Sequence, residues 1–167
     1  MRSKHLAAAL IVSILALGTL TAAQDGRGNP TIVGVWKITQ VTTTGSNART
    51  NTNPQPSIRI FTARHFSVTD VTAEKPRPDL PPPDKRTDKQ IRDVIEGFQA
   101  RAGTYELKGN ELVYQLSVTM VPNYMKAGVT LTSTVRFEGN NTVYLTSKTD
   151  PNGPVANPST IKLTRIE

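Results

Sequence analysis

The sequence predicts an all-β protein, a closed eight-stranded antiparallel barrel with one helix inserted after the third strand. Runs in which apolar and polar residues alternate fill most of the chain beyond residue 30. Gly109-Asn110 and Gly139-Asn140 lie at the centres of two such runs, which is typical of hairpins. Only residues 87–100 have helical periodicity. A two-sheet sandwich would use the same strands, but a closed barrel removes exposed edges and leaves room for one small ligand.

The N-terminus has the pattern of a cleaved secretion signal over residues 1–23. Two basic residues precede an apolar stretch at 6–17, and small residues follow at 21–23. An uncleaved anchor helix is the alternative, but the apolar stretch is shorter than the roughly 20 residues that a membrane span needs. We therefore expect cleavage after Ala23, a periplasmic or secreted location and no stable membrane anchor.

Composition limits the function classes. The net charge of +7 is scattered, with no Lys/Arg run longer than Lys85-Arg86, so we expect no nucleic-acid partner. The chain has no cysteine, which excludes disulfides and thiolate chemistry and suits a bacterial periplasm. His65, at a predicted turn, is the only histidine beyond the signal. We therefore expect no metal site, and no cofactor motif is present.

After a polar lead-in at 24–30, one domain is predicted over 31–166. Its first three strands are 31–44, 57–62 and 66–72, and its last is 159–166. Residues 74–86 are proline-rich, which excludes a helix or an inner strand. We interpret residues 74–86 either as an exposed spacer or as a short docking motif for a partner protein.

The predicted helix, 87–100, begins with Thr87 and Gln90 in the spacing of a capping box. Its apolar residues recur at the spacing of one helix face, and we expect that face to pack on the barrel: Ile91, Val94, Ile95 and Phe98.

Hairpin register predicts which side chains point inward. Counting from Gly109-Asn110 places Tyr105 opposite Tyr114 on one face. In the second hairpin, Leu131 and Ser133 share the face of Val135 and Phe137. Its return strand is ambiguous: a two-residue turn faces Thr142, Tyr144 and Thr146 inward, whereas a bulged three-residue turn faces Val143 and Leu145 inward. We favour the bulged turn because it buries more apolar area.

The two ends of the domain are expected to meet in the barrel wall. Trp36 in the first strand and Arg165 in the last both lie on otherwise apolar faces. An unpaired charge on such a face is costly, and stacking of the guanidinium on the indole would stabilise it. Gly34 would leave room for this approach.

The "GVW" at 34–36 together with Arg165 resembles the calycin pattern of lipocalins. The order of elements, with "GTYEL" at 103–107 and "VPNY" at 121–124, is similar to bacterial lipocalin-like domains. The Thr-Asp-Tyr turn and the disulfides of many secreted lipocalins are absent. The resemblance implies a barrel that binds a small apolar molecule, and it implies no catalytic residues.

Alternation along the strands predicts which side chains face the interior of the barrel, and the candidate ligand-binding residues are taken from these. Asp70 could orient a polar ligand end or act as a general base, and a solvated strand end is the alternative. The tyrosines could line a cavity or pack in the core. The full set is Phe66, Asp70, Tyr105, Tyr114, Leu131 and Ser133.

Three functions follow. The leading one is an exported binding protein for a small hydrophobic or amphipathic molecule. The others are an interaction module with a filled core, using 74–86 or 121–128, and a barrel isomerase, cyclase or hydrolase using Asp70. An enzyme is the less favoured class, because few acid–base groups are available.

Overall fold

The computed structural model of the chain describes residues 30–167, and the predicted signal peptide and nearly all of the lead-in lie outside them. Eight antiparallel strands form the wall: β1 Gly34–Thr43, β3 Ser57–Phe61, β4 His65–Val71, β5 Phe98–Lys108, β6 Glu111–Thr119, β7 Thr130–Glu138, β8 Thr142–Asp150 and β10 Ser159–Arg165. Short strands β2 (Arg49–Asn51) and β9 (Gly153–Pro154) pair with β1 and β8. Helix α1, Asp88–Glu96, lies between β4 and β5.

The barrel is closed because β10 pairs with both β1 and β8. The remaining wall strands pair with their neighbours in the order β1, β3, β4, β5, β6, β7, β8. The predicted fold class, a closed eight-stranded antiparallel barrel with a helix after the third wall strand, is confirmed. Strands β2 and β9 lie in segments for which only loops were predicted.

Both hairpin predictions are confirmed. Tyr105 pairs with Tyr114 across β5 and β6, and Phe137 pairs with Val143 across β7 and β8. The second register requires the bulged turn, which buries Val143 completely. The turn therefore takes the form that places more apolar surface in the core.

The helix prediction is correct at its start and wrong at its end. Thr87 and Gln90 form the capping box, but α1 stops at Glu96 and Phe98 opens β5. The Gly97 carbonyl accepts hydrogen bonds from the backbone N–H groups of Thr72 and Ala73, so strand-like pairing replaces the last predicted turns. Phe98 therefore lies in β5 and is not part of the apolar face of α1.

The predicted packing of the helix on the barrel is also wrong for much of its apolar face. Ile91 and Ile95 are 40% and 51% exposed, and only Val94 is partly covered. A helix of nine residues that is tied to the wall at its C-terminal end presents little of its length to the barrel.

Trp36 and Arg165 close one end of the barrel, which we call the base. The guanidinium carbon lies 4.1 Å from the indole centroid, and Trp36 is fully buried, as predicted. Trp36 Nε1 donates to the Ile32 carbonyl at 2.7 Å. Arg165 donates to four backbone carbonyls, those of Thr31, Val33, Asn140 and Glu167. These bonds join the segment before β1, the β7–β8 turn and the end of the chain.

Gly34 makes this approach possible. It has φ 142°, a conformation that side-chain-bearing residues rarely adopt, and a Cβ there would lie 2.1 Å from Arg165 Nη1. Because Gly34 has no side chain, it leaves the space that the Arg165 guanidinium occupies.

The interior next to the base is packed with apolar side chains. Phe61 contacts the ring of Tyr105 edge-on at 5.3 Å, and Phe66 contacts that of Tyr114 at 4.8 Å. Other residues that are at most 2% exposed complete this layer: Ile32, Leu112, Val143 and Leu163. Buried aromatic and aliphatic side chains therefore occupy this half of the barrel.

We predict that Arg165→Lys lowers the free energy of unfolding by about 2 kcal/mol, because an ammonium cannot satisfy the same four carbonyls. Arg136→Lys is the matched control. Arg136 also stacks on an aromatic ring, Tyr144 at 3.8 Å, but has no carbonyl partner within the described residues. The control should change stability by less than about 0.5 kcal/mol in urea denaturation. Equal losses in the two variants would show that the carbonyl bonds contribute nothing.

Candidate functional site

The interior changes from apolar to polar between the base and the opposite end, which we call the mouth. The buried faces of β3, β4 and β5 continue from Phe61 and Phe66 to polar side chains. By register these face the inside of the barrel: Ser57, Arg59, Asp70, Gln99 and Arg101. Strand alternation therefore carries charged groups into the half of the barrel near the mouth.

Arg59 and Asp70 form a buried ion pair. Arg59 Nε donates to Asp70 Oδ1 at 3.3 Å, and Nη2 donates to Oδ2. Their side chains are only 8% and 4% exposed. Both carboxylate oxygens are thus engaged by one guanidinium, which is the fork geometry typical of strong pairs. This removes the support for Asp70 as a free general base.

A mouth pocket of about 440 Å³ lies beside this ion pair. Ile38, Val41 and Ile161 supply apolar surface, whereas Arg59, Asp70 and Gln99 supply polar groups. Its rim consists of Arg49, Asn51, Pro54, Gln55 and residues 71–74. An apolar wall with a few convergent polar groups is the usual character of a small-molecule site.

A second cavity, the inner pocket, has a volume of about 250 Å³. It lies between β5, β6, β7, β8 and β10 and is lined by Arg101, Tyr114, Leu131, Thr132, Ser133, Ser147, Thr149, Asp150, Val155 and Ser159. Hydroxyl groups predominate in it. This pocket suits the polar part of a ligand better than a long hydrocarbon.

Tyr114 and Arg101 are two of the polar side chains in the inner pocket that have no side-chain partner; the hydroxyls of Ser133 and Ser147 are others within residues 30–167. Within residues 30–167, neither the Tyr114 hydroxyl nor the Arg101 guanidinium forms a side-chain hydrogen bond, and Arg101 forms no ion pair. Every fully buried side-chain nitrogen or oxygen in that range has a partner. Both groups must therefore be reachable from the pocket.

The environment shifts the pKa of both groups. Burial raises the pKa of Tyr114 to about 12, although Arg59 and Arg101 act in the opposite direction. Burial, followed by the charge of Arg59, lowers the pKa of Arg101, against the influence of Tyr114 and Asp70. Burial thus disfavours the charged form of both side chains.

The structure brings some of the predicted site residues together and separates others. Tyr114, Leu131 and Ser133 line the inner pocket, and Asp70 lines the mouth pocket. Phe66 packs in the core, and the Tyr105 hydroxyl donates to the Thr62 carbonyl at 2.6 Å near the base. Neither of these two lines an interior pocket.

Sequence reasoning missed Arg59, Gln99 and Arg101. The sequence could have indicated that Arg101 faces inward, because it lies an even number of positions before Tyr105 in β5 and the two side chains therefore face the same side of the sheet. Arg101 was missed because the helix was extended to residue 100. Arg59 lies between Ile58 and Ile60, which are 51% and 40% exposed, so hydrophobicity alone places the wrong face inward.

Other surface features are less suited to a ligand. An open groove of about 590 Å³ is bordered by Lys37, Thr39 and residues 52–57. A groove of about 290 Å³ near the end of α1 is lined in part by Ile95, Phe98, Met120, Val121 and Tyr124. Several apolar side chains around it are exposed, including Met120, Val121 and Met125.

His65 begins β4 and is exposed. Within residues 30–167, no three His, Asp or Glu side chains are grouped so that they could hold a metal ion. In the same range, no helix is long and apolar enough to cross a membrane.

Comparison with known proteins finds structural similarity but no match in sequence. No family model and no curated protein matches the sequence. Among solved structures, the chain is similar to a lipocalin-like protein from Bacteroides uniformis ATCC 8492, at 16% identity and a TM-score of 0.43. The match covers 80% of this chain and 97% of that one. The fold assignment rests on the strand pairing described above.

We predict that Asp70→Asn lowers the free energy of unfolding by about 3–5 kcal/mol, because it leaves Arg59 buried without a counter-charge. The double variant Arg59→Met with Asp70→Leu should recover most of this loss, since it removes both charges. Urea denaturation at neutral pH measures both. A single variant as stable as the wild type would show that the ion pair is not formed.

Tyr114 should also make stability depend on alkaline pH. Its folded-state pKa exceeds the ordinary value near 10, so its contribution is fully present below pH 10 and is lost as pH rises towards 12. The loss by pH 12 should reach about 2–3 kcal/mol, and Tyr114→Phe should reduce this dependence. Tyr144→Phe, which keeps Tyr114, should retain it. Identical pH profiles for all three proteins would contradict the assignment.

Proposed function

We propose that this chain binds a small amphipathic molecule in the half of its barrel near the mouth. The observation that carries the proposal is the division of the interior. Packed aromatic and aliphatic side chains fill the half near the base, whereas cavities of about 440 and 250 Å³ remain near the mouth. Those volumes are bordered by both apolar walls and polar groups, which favours an amphipathic ligand over a purely hydrophobic one.

The alternatives have less support. A filled core would leave no cavities near the mouth. The barrel-enzyme hypothesis relied on Asp70, whose two carboxylate oxygens are bonded to Arg59. A binding role needs only shape and complementary groups, and the interior provides both.

We also propose that the protein is exported to the periplasm or secreted. The support is the signal-like pattern of residues 1–23 in the sequence. A lack of cysteine is compatible with a periplasmic domain.

An interaction module is the second candidate function. The exposed apolar side chains near the end of α1 and after β6 favour it, namely Ile91, Ile95, Val118, Met120, Val121 and Met125. A molecule that acts only through this surface would not take up a ligand in the barrel, so ligand binding separates the two candidates.

We predict that a neutral amphiphile, decanol, binds with a stoichiometry near one per chain and a negative heat-capacity change in calorimetry. Leu131→Trp should weaken binding about tenfold or more, because the larger ring occupies the inner pocket. Ile58→Trp is the control, since Ile58 faces solvent on β3 and is 51% exposed.

Ser133→Leu offers a smaller obstruction of the same pocket if Leu131→Trp is too unstable to assay. If neither decanol nor its carboxylate analogue decanoate binds the wild type, the binding proposal is overturned and the interaction module is favoured. Equal binding by the blocked and control variants would place the ligand outside the barrel.

A further inference from the structure

Arg101 lines the inner pocket from β5 and forms no ion pair within residues 30–167. Asp70, an interior carboxylate whose charge acts on Arg101, is already bonded through both oxygens to Arg59. These three side chains leave the interior with a net positive charge of one unit.

Asp150 borders the same pocket but does not neutralise Arg101. Its Oδ1 accepts the backbone N–H of Asn152 at 2.7 Å in the β8–β9 turn, and it forms no ion pair with Arg101. Among the groups whose charges act on Arg101, Asp70 is the only carboxylate.

Two side chains with hydrogen-bond donors, Arg101 and Tyr114, line the inner pocket. The Arg101 guanidinium offers a planar set of N–H groups, and the Tyr114 hydroxyl is free to donate. Phe66 holds the Tyr114 ring at 4.8 Å, so this hydroxyl has a fixed position. Planar donors of this type match the two oxygens of a carboxylate.

We propose that the molecule bound in the barrel carries a carboxylate, which binds the Arg101 guanidinium and the Tyr114 hydroxyl in the inner pocket. This inference rests on the proposed binding function and specifies its ligand class.

The arrangement is unfavourable in the protein without ligand. A guanidinium removed from water and facing a second arginine lowers stability, and an anion that pairs with it would remove that penalty. A purely structural arginine would show the opposite behaviour, since its removal would destabilise the protein.

Calorimetric titration with decanoate and decanol at neutral pH tests the proposal, at concentrations below those at which either probe aggregates. We expect decanoate to bind the wild type about tenfold or more tightly than decanol. Arg101→Met keeps the apolar stem but removes the charge, so the preference should disappear while decanol still binds. Arg101→Lys should retain part of the preference.

Arg136→Met is the matched control, because it removes the same charge from the outside of the barrel. It should keep the full preference for decanoate. Without ligand, Arg101→Met should unfold at a urea concentration equal to or above that of the wild type. A clear loss of stability would indicate a structural arginine and would overturn the proposal.

The outcomes separate this inference from the function on which it rests. Equal affinity of the wild type for decanoate and decanol would overturn the carboxylate site and leave the binding function standing. A preference that survives both Arg101 variants would assign the anion to another group and overturn the inference. If neither probe binds, the binding function itself fails, and the inference fails with it.

Discussion

The contact between Arg165 and Trp36 is the interaction on which the rest of the barrel depends. It lies where β1 and β10 meet, at the point where the sheet closes. One guanidinium covers the indole and satisfies carbonyls from segments that are far apart in sequence. Stacking and hydrogen bonding together therefore hold the segment before β1 and the last residues to the wall. The contact in turn requires Gly34, since any side chain there would occupy the position of the guanidinium.

Because packed apolar side chains stabilise the closed base, the barrel can hold polar and charged side chains at the mouth. The aromatic series that begins with Tyr105 continues through Phe61 and Phe66 to Tyr114, where the packed core ends and the inner pocket begins. Apolar burial on the base side of Tyr114 supplies stability that tolerates a buried ion pair and an unpaired arginine on the other side. The same eight strands thus provide a packed frame at the base and, near the mouth, the cavities in which we propose that the ligand binds.

Much of the frame could be predicted from the sequence because its signals are local. Gly109-Asn110 fixes the register of one hairpin, and alternation then carries that register to Tyr105 and Tyr114. Trp36 and Arg165 could be paired because closure makes the first and last strands neighbours. The end of α1 could not be predicted in this way. Ile91 to Phe98 fits a helix face, but the hydrogen bonds of Gly97 to Thr72 and Ala73 depend on contacts between distant segments.

The charged part of the site was less predictable for a physical reason. Arg59 is buried between two exposed isoleucines, so its strand inverts the usual relation between hydrophobicity and burial. Only the position of Asp70 on the adjacent strand explains this, and pairing across strands is not visible in a single segment. Arg101 directly follows the end of the predicted helix and lies in β5. Its inward direction could be predicted only with the correct boundary between helix and strand, and residue propensities locate such boundaries poorly.

The central claim is that the half of the barrel near the mouth is a ligand chamber above a fixed base. Amide chemical shifts recorded by NMR during a decanoate titration test it most directly. The account predicts shift changes at chamber residues such as Val41, Gln99, Arg101 and Ser133, with Trp36 and Leu163 unchanged. Changes confined to the outer groove at 52–57, or centred on Trp36 and Leu163, would contradict it.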